Sequence, residues 1–136
     1  MSVALYLSAE ELDAYLHDAE ICLSNLRMHD DDLLEINGKI EQARRRPFPR
    51  PFVMERFTFK LFLPGVKGFT ISDPDDLGAL SVMDISYDQS SGDLIMESNM
   101  VGSLVIECQP VTYRLERSSS PIAYRRFGRW IAAHSD

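Results

Sequence analysis

Four carboxylates crowd one short stretch of the 136-residue chain: Asp84, Asp88, Asp93 and Glu97 flank the turn-forming cluster Gln-Ser-Ser-Gly. Three kinds of chemistry use acids so placed. A pair at fixed separation performs general acid-base work, as in glycoside hydrolysis. Converging oxygens hold a cation. A field of hydrated acids attracts a basic partner. Nothing in the spacing selects one pair over the others, which leaves the third. Asp73-Pro-Asp75-Asp76 superficially has the start of a calcium loop, with Gly78 in place for the turn. Pro74 and Leu77 stand where such a loop wants other residues, and Asp84 is the nearest closing acid. Asp30, Asp31 and Asp32 are contiguous, so they repel and stay hydrated. Both stretches read as surface turns. The histidines, His17, His29 and His134, are too scattered for a zinc or catalytic spacing. GxSxG, P-loop, GxGxxG and CxxC motifs are all missing. The expectation is a protein with no catalytic residues, no metal site and no cofactor.

The acids need elements to hold them. From Leu80 to Glu116 the chain reads as four alternating runs separated by turn formers, the pattern of an antiparallel meander. Met83, Ile85 and Tyr87 share one parity there, as do Leu94 with Met96, Leu104 with Ile106, and Val111, Tyr113 and Leu115. Phe52–Leu63 is a long strand with Phe57, Phe59, Leu61 and Leu63 on one face, and Phe62 breaks the polar pattern of the other. Gly68–Ile71 makes a short strand. Before these, Ser8 and Glu11 form a capping box that starts a helix carrying Leu12, Tyr15, Leu16 and Ala19 at helical spacing. Residues 19–41 admit a continued helix or two strands. We read them as strand, aspartate turn and strand, because Leu34, Ile36 and Ile40 share a parity and Gly38 disfavours a helix interior, although Asn37-Gly38 offers a competing hairpin. Pro47, Pro49 and Pro51 mark an extended connector. Ser120-Pro121, followed by Tyr124, Phe127, Trp130 and Ile131 at helical spacing, predicts a C-terminal helix from Pro121 to His134. The whole is one α+β domain, residues 1–136: a mainly antiparallel sheet of roughly six to eight strands, open, sandwiched or partly barrelled, between an N-terminal and a C-terminal helix.

The charge balance restricts the partners. A net charge of −7 and a pI near 4.9 argue against direct nucleic-acid binding. Between Phe69 and Tyr113 stand eight acids and no lysine or arginine, while arginines gather at Arg44–Arg46, Arg50 and Arg56 and again at Arg114–Arg129. With neither a basic-flanked apolar leader nor a long apolar run, the chain reads as having no signal peptide and no membrane span. Cys22 and Cys108 read as reduced core residues, and the expected location is cytoplasmic.

Leu16-His17-Asp18-Ala19-Glu20-Ile21 resembles the HDA-type motif near the N-terminus of small immunity proteins of bacterial polymorphic toxin systems, in which a short helix leads into a sheet-rich domain. The resemblance implies a non-enzymatic protein that occludes a cognate toxin. His17, Asp18 and Glu20 would then be motif residues, in a structural or a binding role. The acidic residues fit that function independently, since they complement a toxin or nuclease with a basic surface. They place Asp30, Asp31, Asp32, Asp84, Asp88, Asp93 and Glu97 at the binding surface. Two alternatives stand beside it: a nucleic-acid mimic that inhibits a defence nuclease, which would use similar acids, and a small-ligand-binding sheet domain, which would instead show a deep pocket with converging polar groups. A homodimer through an edge strand is compatible with each.

Overall fold

The computed structural model describes residues 2–45, 52–126 and 129–132. Strand β1 (Ser2–Leu7), which the sequence reading did not foresee, precedes helix α1 (Ala9–Tyr15). The capping box forms: Glu11 N–H donates to the Ser8 hydroxyl at 3.2 Å and Ser8 N–H to the Glu11 carboxylate at 3.1 Å. Leu12 and Leu16 are fully buried, so the helix stripe does face the core. The strand reading of residues 19–41 also holds, with one interruption. β2 (Glu20–Cys22) passes through a 3-10 turn at Leu23–Asn25 into β3 (Arg27–His29), and the turn Asp30–Asp32 leads into β4 (Leu33–Arg45). Asn37-Gly38 lies inside β4 rather than at a hairpin. β5 (Phe52–Leu63) pairs with β4 from Leu34↔Leu63 to Arg45↔Phe52. The connector prolines Pro47, Pro49 and Pro51 lie outside the described residues.

β6 (Gly68–Ser72), β7 (Ala79–Asp88), β8 (Asp93–Ser98), β9 (Ser103–Glu107) and β10 (Tyr113–Ser118) follow. The sheet runs β1-β10-β5-β4-β2-β7-β8-β9-β6, with β3 beside β4, and every pairing is antiparallel. This order forces curvature. β5 and β6 stand six places apart, roughly 29 Å in a flat sheet, yet the chain from Leu63 to Gly68 reaches at most about 18 Å. The open sheet must therefore curl, and its inner face encloses one core that includes Ile36, Phe59, Leu61, Leu94, Leu104 and Leu115.

The expected C-terminal helix is not formed. β11 (Ala123–Arg126) and β12 (Arg129–Ala132) pair with each other, and β11 also pairs with β5 from Ala123↔Arg56 to Arg125↔Met54. β10 covers β5 only from Phe59 to Phe62, so the first half of β5 has an unpaired edge that β11 fills. That non-local pairing outweighs the local helical spacing, and Gly128 weakens the helix by about 1 kcal/mol. Tyr124 faces Ile131, and Trp130 lies under the Arg56 guanidinium at 4.1 Å. Phe127 and His134 lie outside the described residues. With β1, β3, β11 and β12 added, the described strands number twelve.

Met83 also departs from expectation. A register shift between Val82 and Asp84 turns it outward, 47% exposed, while Val82 and Ile85 are buried. Phe62, on the outer face, lies 4.4 Å beneath Arg114, and Phe57 beneath Arg117 at 4.2 Å. Part of the basic surface is thus committed to covering rings. Cys22 and Cys108 are free thiols, but only Cys108 is buried; Cys22 is half-exposed.

Tyr113 is fully buried, with its hydroxyl donating to the Gln109 carbonyl at 2.8 Å, and Tyr87 donates to the Cys108 carbonyl at 2.8 Å. The two phenols pin the β9–β10 loop. By contrast, the buried hydroxyl of Tyr15 has no hydrogen-bond partner among the described residues. Removing each hydroxyl should therefore have opposite consequences. Tyr113→Phe loses about 1 kcal/mol in chemical denaturation, leaving the Gln109 carbonyl with only its bond from Val111 N–H, whereas Tyr15→Phe is neutral or stabilising.

Candidate functional site

The hairpin β7–β8 and strand β9 carry the acids predicted from sequence. Asp84 stands directly opposite Glu97, and Asp88 directly opposite Asp93. Asp93 in turn faces Glu107 on β9, an acid the sequence reading counted but did not place in the site. Opposed residues point to the same face. The outer face of this half of the sheet thus has a row Asp88–Asp93–Glu107 at one end and the pair Asp84–Glu97 at the other. Between them lies the row Ser86–Ile95–Val105, in which Ile95 and Val105 are half-buried. Acids around a small apolar centre are the anatomy of an interface with a polar rim. Like charges directly opposed on a sheet are destabilising, and no ion pair relieves these five among the described residues. Asp88 accepts from the Ser90 N–H and hydroxyl at 2.9 and 2.7 Å, which holds its carboxyl below the ordinary value and keeps it charged.

The Asp30–Asp32 turn lies at the same end of the sheet as that row. Its Asp32 carbonyl accepts from Val66 N–H, and the next residue, Lys67, donates to the carbonyl of Glu107, both at 2.9 Å. All three aspartates are exposed. Asp31 and Asp32 have φ of 64° and 57°, a left-handed conformation that aspartate tolerates better than most residues. Asp73 is occupied by its own loop, accepting from Leu77 N–H at 3.0 Å and Gly78 N–H at 2.8 Å. Among the described residues no three His, Cys, Asp or Glu side chains are grouped to hold a metal ion.

The Leu16–Ile21 motif sits where α1 meets the register shift of β7. Asp18 N–H donates to the Val82 carbonyl at 2.8 Å, the His17 ring Nδ1 donates to the Met83 carbonyl at 3.1 Å, and Ile85 N–H donates to the Asp13 carboxylate at 2.6 Å. The backbone groups freed by the shift are thereby satisfied, and Asp18 takes φ of 66° to turn the corner. Glu20 points elsewhere, into a cleft.

That cleft, about 740 Å³, lies on the outer face across β10, β5, β4 and β2. One row sets Glu20 beside Lys39 and Thr58; the next sets Asn37 beside Lys60 and Glu116. Charges alternate across the strands, and neither lysine forms an ion pair among the described residues. Sequence reasoning missed this cleft. Near its edge, Glu35 is 7% exposed and bonded by the Asn37 amide at 3.0 Å and the His29 ring at 3.2 Å. The Asn37 bond chiefly, with His29 and Lys60 contributing less, holds its carboxyl below the ordinary 4.5 against the opposing effect of burial. A depressed carboxyl stabilises the fold above its unfolded value, and that contribution is lost as pH falls through the folded one. Glu35→Gln should therefore lower thermal stability at neutral pH, with the gap to the wild type closing in acid. A gap independent of pH would show that the charge contributes nothing.

Among known families, curated proteins and solved structures, no match to the chain is found.

Proposed function

We propose that the chain is a non-enzymatic inhibitor of the immunity-protein kind, whose outer acidic face binds and occludes a toxin or nuclease with a basic surface. The observation that carries this reading is the row Asp88–Asp93–Glu107, three carboxylates opposed across adjacent strands. A sheet under no functional demand would alternate charges there, as the β4–β5–β10 face of this same molecule does. A second acidic pair and a half-buried apolar centre complete a surface able to steer a cationic partner and then exclude water from it. The resemblance at Leu16–Ile21 supports the same class.

The test captures partners of the chain from lysate at low and high salt, then coexpresses a basic toxin or nuclease so captured with the wild-type chain or with the variant Asp84→Asn/Asp88→Asn/Asp93→Asn/Glu97→Gln. Growth should be rescued by the wild type and not by the variant, with both chains folded by circular dichroism. Equal rescue removes the acidic face from the function.

The cleft favours a second reading, a small-ligand-binding domain, because about 740 Å³ lies in the range of ligand sites. Lys39→Gln/Lys60→Gln separates the two. It leaves toxin neutralisation intact if the acidic face acts, and it removes ligand-induced thermal stabilisation in a metabolite screen if the cleft does.

A further inference from the structure

Beyond the acidic face, the sheet ends at β6, and among the described residues that strand pairs only with β9. Its sequence, Gly-Phe-Thr-Ile-Ser, has no charge and no proline, and four of its five residues are exposed. Phe69 and Ile71 face the core side, opposite Ile106 and Leu104, yet remain 38% and 40% exposed. Natural sheets protect an edge with lysine, proline or a bulge. β6 has none of these within it, and its charges stand just outside, Lys67 before the strand and Asp73 after it.

This strand is its own complement. Two identical edges can join antiparallel about a dyad perpendicular to the sheet, which preserves the faces and so must pass between the two copies of one residue. Centred on Thr70, the register sets Phe69 against Ile71 of the second copy, Gly68 against Ser72, and Lys67 against Asp73, each contact occurring twice. Centring on Phe69 places Lys67 against Ile71 of the second copy, and centring on Ile71 places Asp73 against Phe69. Only the Thr70 register matches apolar with apolar and cation with anion. We propose that β6 is a self-association edge, through which two copies of this chain form a continuous antiparallel sheet in the register centred on Thr70. A five-residue ladder is short, so the dimer is weak and concentration-dependent. Because the dyad preserves faces, the two acidic surfaces stand side by side. The pairing itself does not depend on the inhibitory reading.

Cysteine cross-linking tests the register. In a Cys22→Ser background, Thr70→Cys places two thiols directly opposite at the dyad, where antiparallel neighbours are about 4.5–5.5 Å apart between Cα atoms, within disulfide reach. Oxidised glutathione should then convert the protein to a covalent dimer. Ser72→Cys, which faces Gly68 of the second copy, should remain monomeric. Thr70 is exposed on the outer face opposite Val105. Thr70→Lys therefore sets two ammonium groups against each other at the dyad without disturbing the core, and sedimentation should show association roughly fivefold weaker. A wild-type chain that stays monomeric at millimolar concentration overturns the proposal, as does equal cross-linking of the Thr70 and Ser72 variants.

Discussion

Gly38→Ala should be among the most damaging single substitutions in this protein, lowering stability by about 3 kcal/mol and the melting temperature by roughly 10 °C. The glycine is not needed for an unusual backbone angle. It is needed because β2, β4 and β5 come together there: Gly38 stands between Ile21 and Phe59 in the ladders, and the Phe59 ring lies over it. A Cβ at this position would meet the Glu20 carbonyl oxygen closer than any real contact, and the Phe59 ring at 2.6 and 2.8 Å. The ring can shift only into a packed core, since Phe59 is 2% exposed, and the carbonyl belongs to the backbone. Phe59→Leu in the Gly38→Ala background should recover part of the loss, the remainder measuring the carbonyl clash. A Gly38→Ala protein that melts within a degree of the wild type would refute this packing.

Neutralising the acidic face should act in opposite directions on binding and on stability. For the variant Asp84→Asn/Asp88→Asn/Asp93→Asn/Glu97→Gln, association with a basic partner should slow roughly 10- to 100-fold at low salt, with a flattened salt dependence. Dissociation should change less, because the apolar centre at Ile95 and Val105 is untouched. Asp93→Asn alone relieves two oppositions, with Asp88 and with Glu107, so the free protein should melt higher, and added salt should shrink that gain. Surface plasmon resonance over a salt series and calorimetry read the two effects separately. A variant that binds as fast as the wild type would sink the steering role. An Asp93→Asn protein that melts lower would show that Asp93 is stabilised by contacts other than those described.

Residues with local causes were legible in the sequence. Ser8 and Glu11 lie three residues apart and form their box wherever a helix begins; Phe57 to Leu63 alternate because one face is buried; Asp88 and Asp93 oppose each other because four residues join them through a turn. What depends on distant pairing was not legible. Tyr124, Trp130 and Ile131 have a spacing that suits a helix stripe or a hairpin, and the choice was made by the uncovered edge of β5 far upstream. Met83 lost its parity to a register shift whose freed backbone groups are met by Asp13 of α1 and by His17 and Asp18 in the turn after it. The first strand, Ser-Val-Ala-Leu-Tyr-Leu, is nearly all apolar and has no clear alternation to read. The cleft escaped for the same reason: Glu20, Lys39, Thr58 and Glu116 become neighbours only once β10, β5, β4 and β2 are in order. Glu107 was hidden from the acidic row until β9 was set beside β8.

The pairing of Ser2 with Ser118 bears on how the molecule is made. The ribosome delivers β1 first and β10 more than a hundred residues later, so at about 5–20 residues per second the earliest strand waits many seconds for its neighbour. Meanwhile Val3, Leu5 and Leu7 are an apolar segment without a ladder, open to a chaperone or to another nascent chain. Hairpins such as β7–β8 close during translation, whereas docking of β1 awaits β10, making it a late event that favours slow elongation and low temperature during expression.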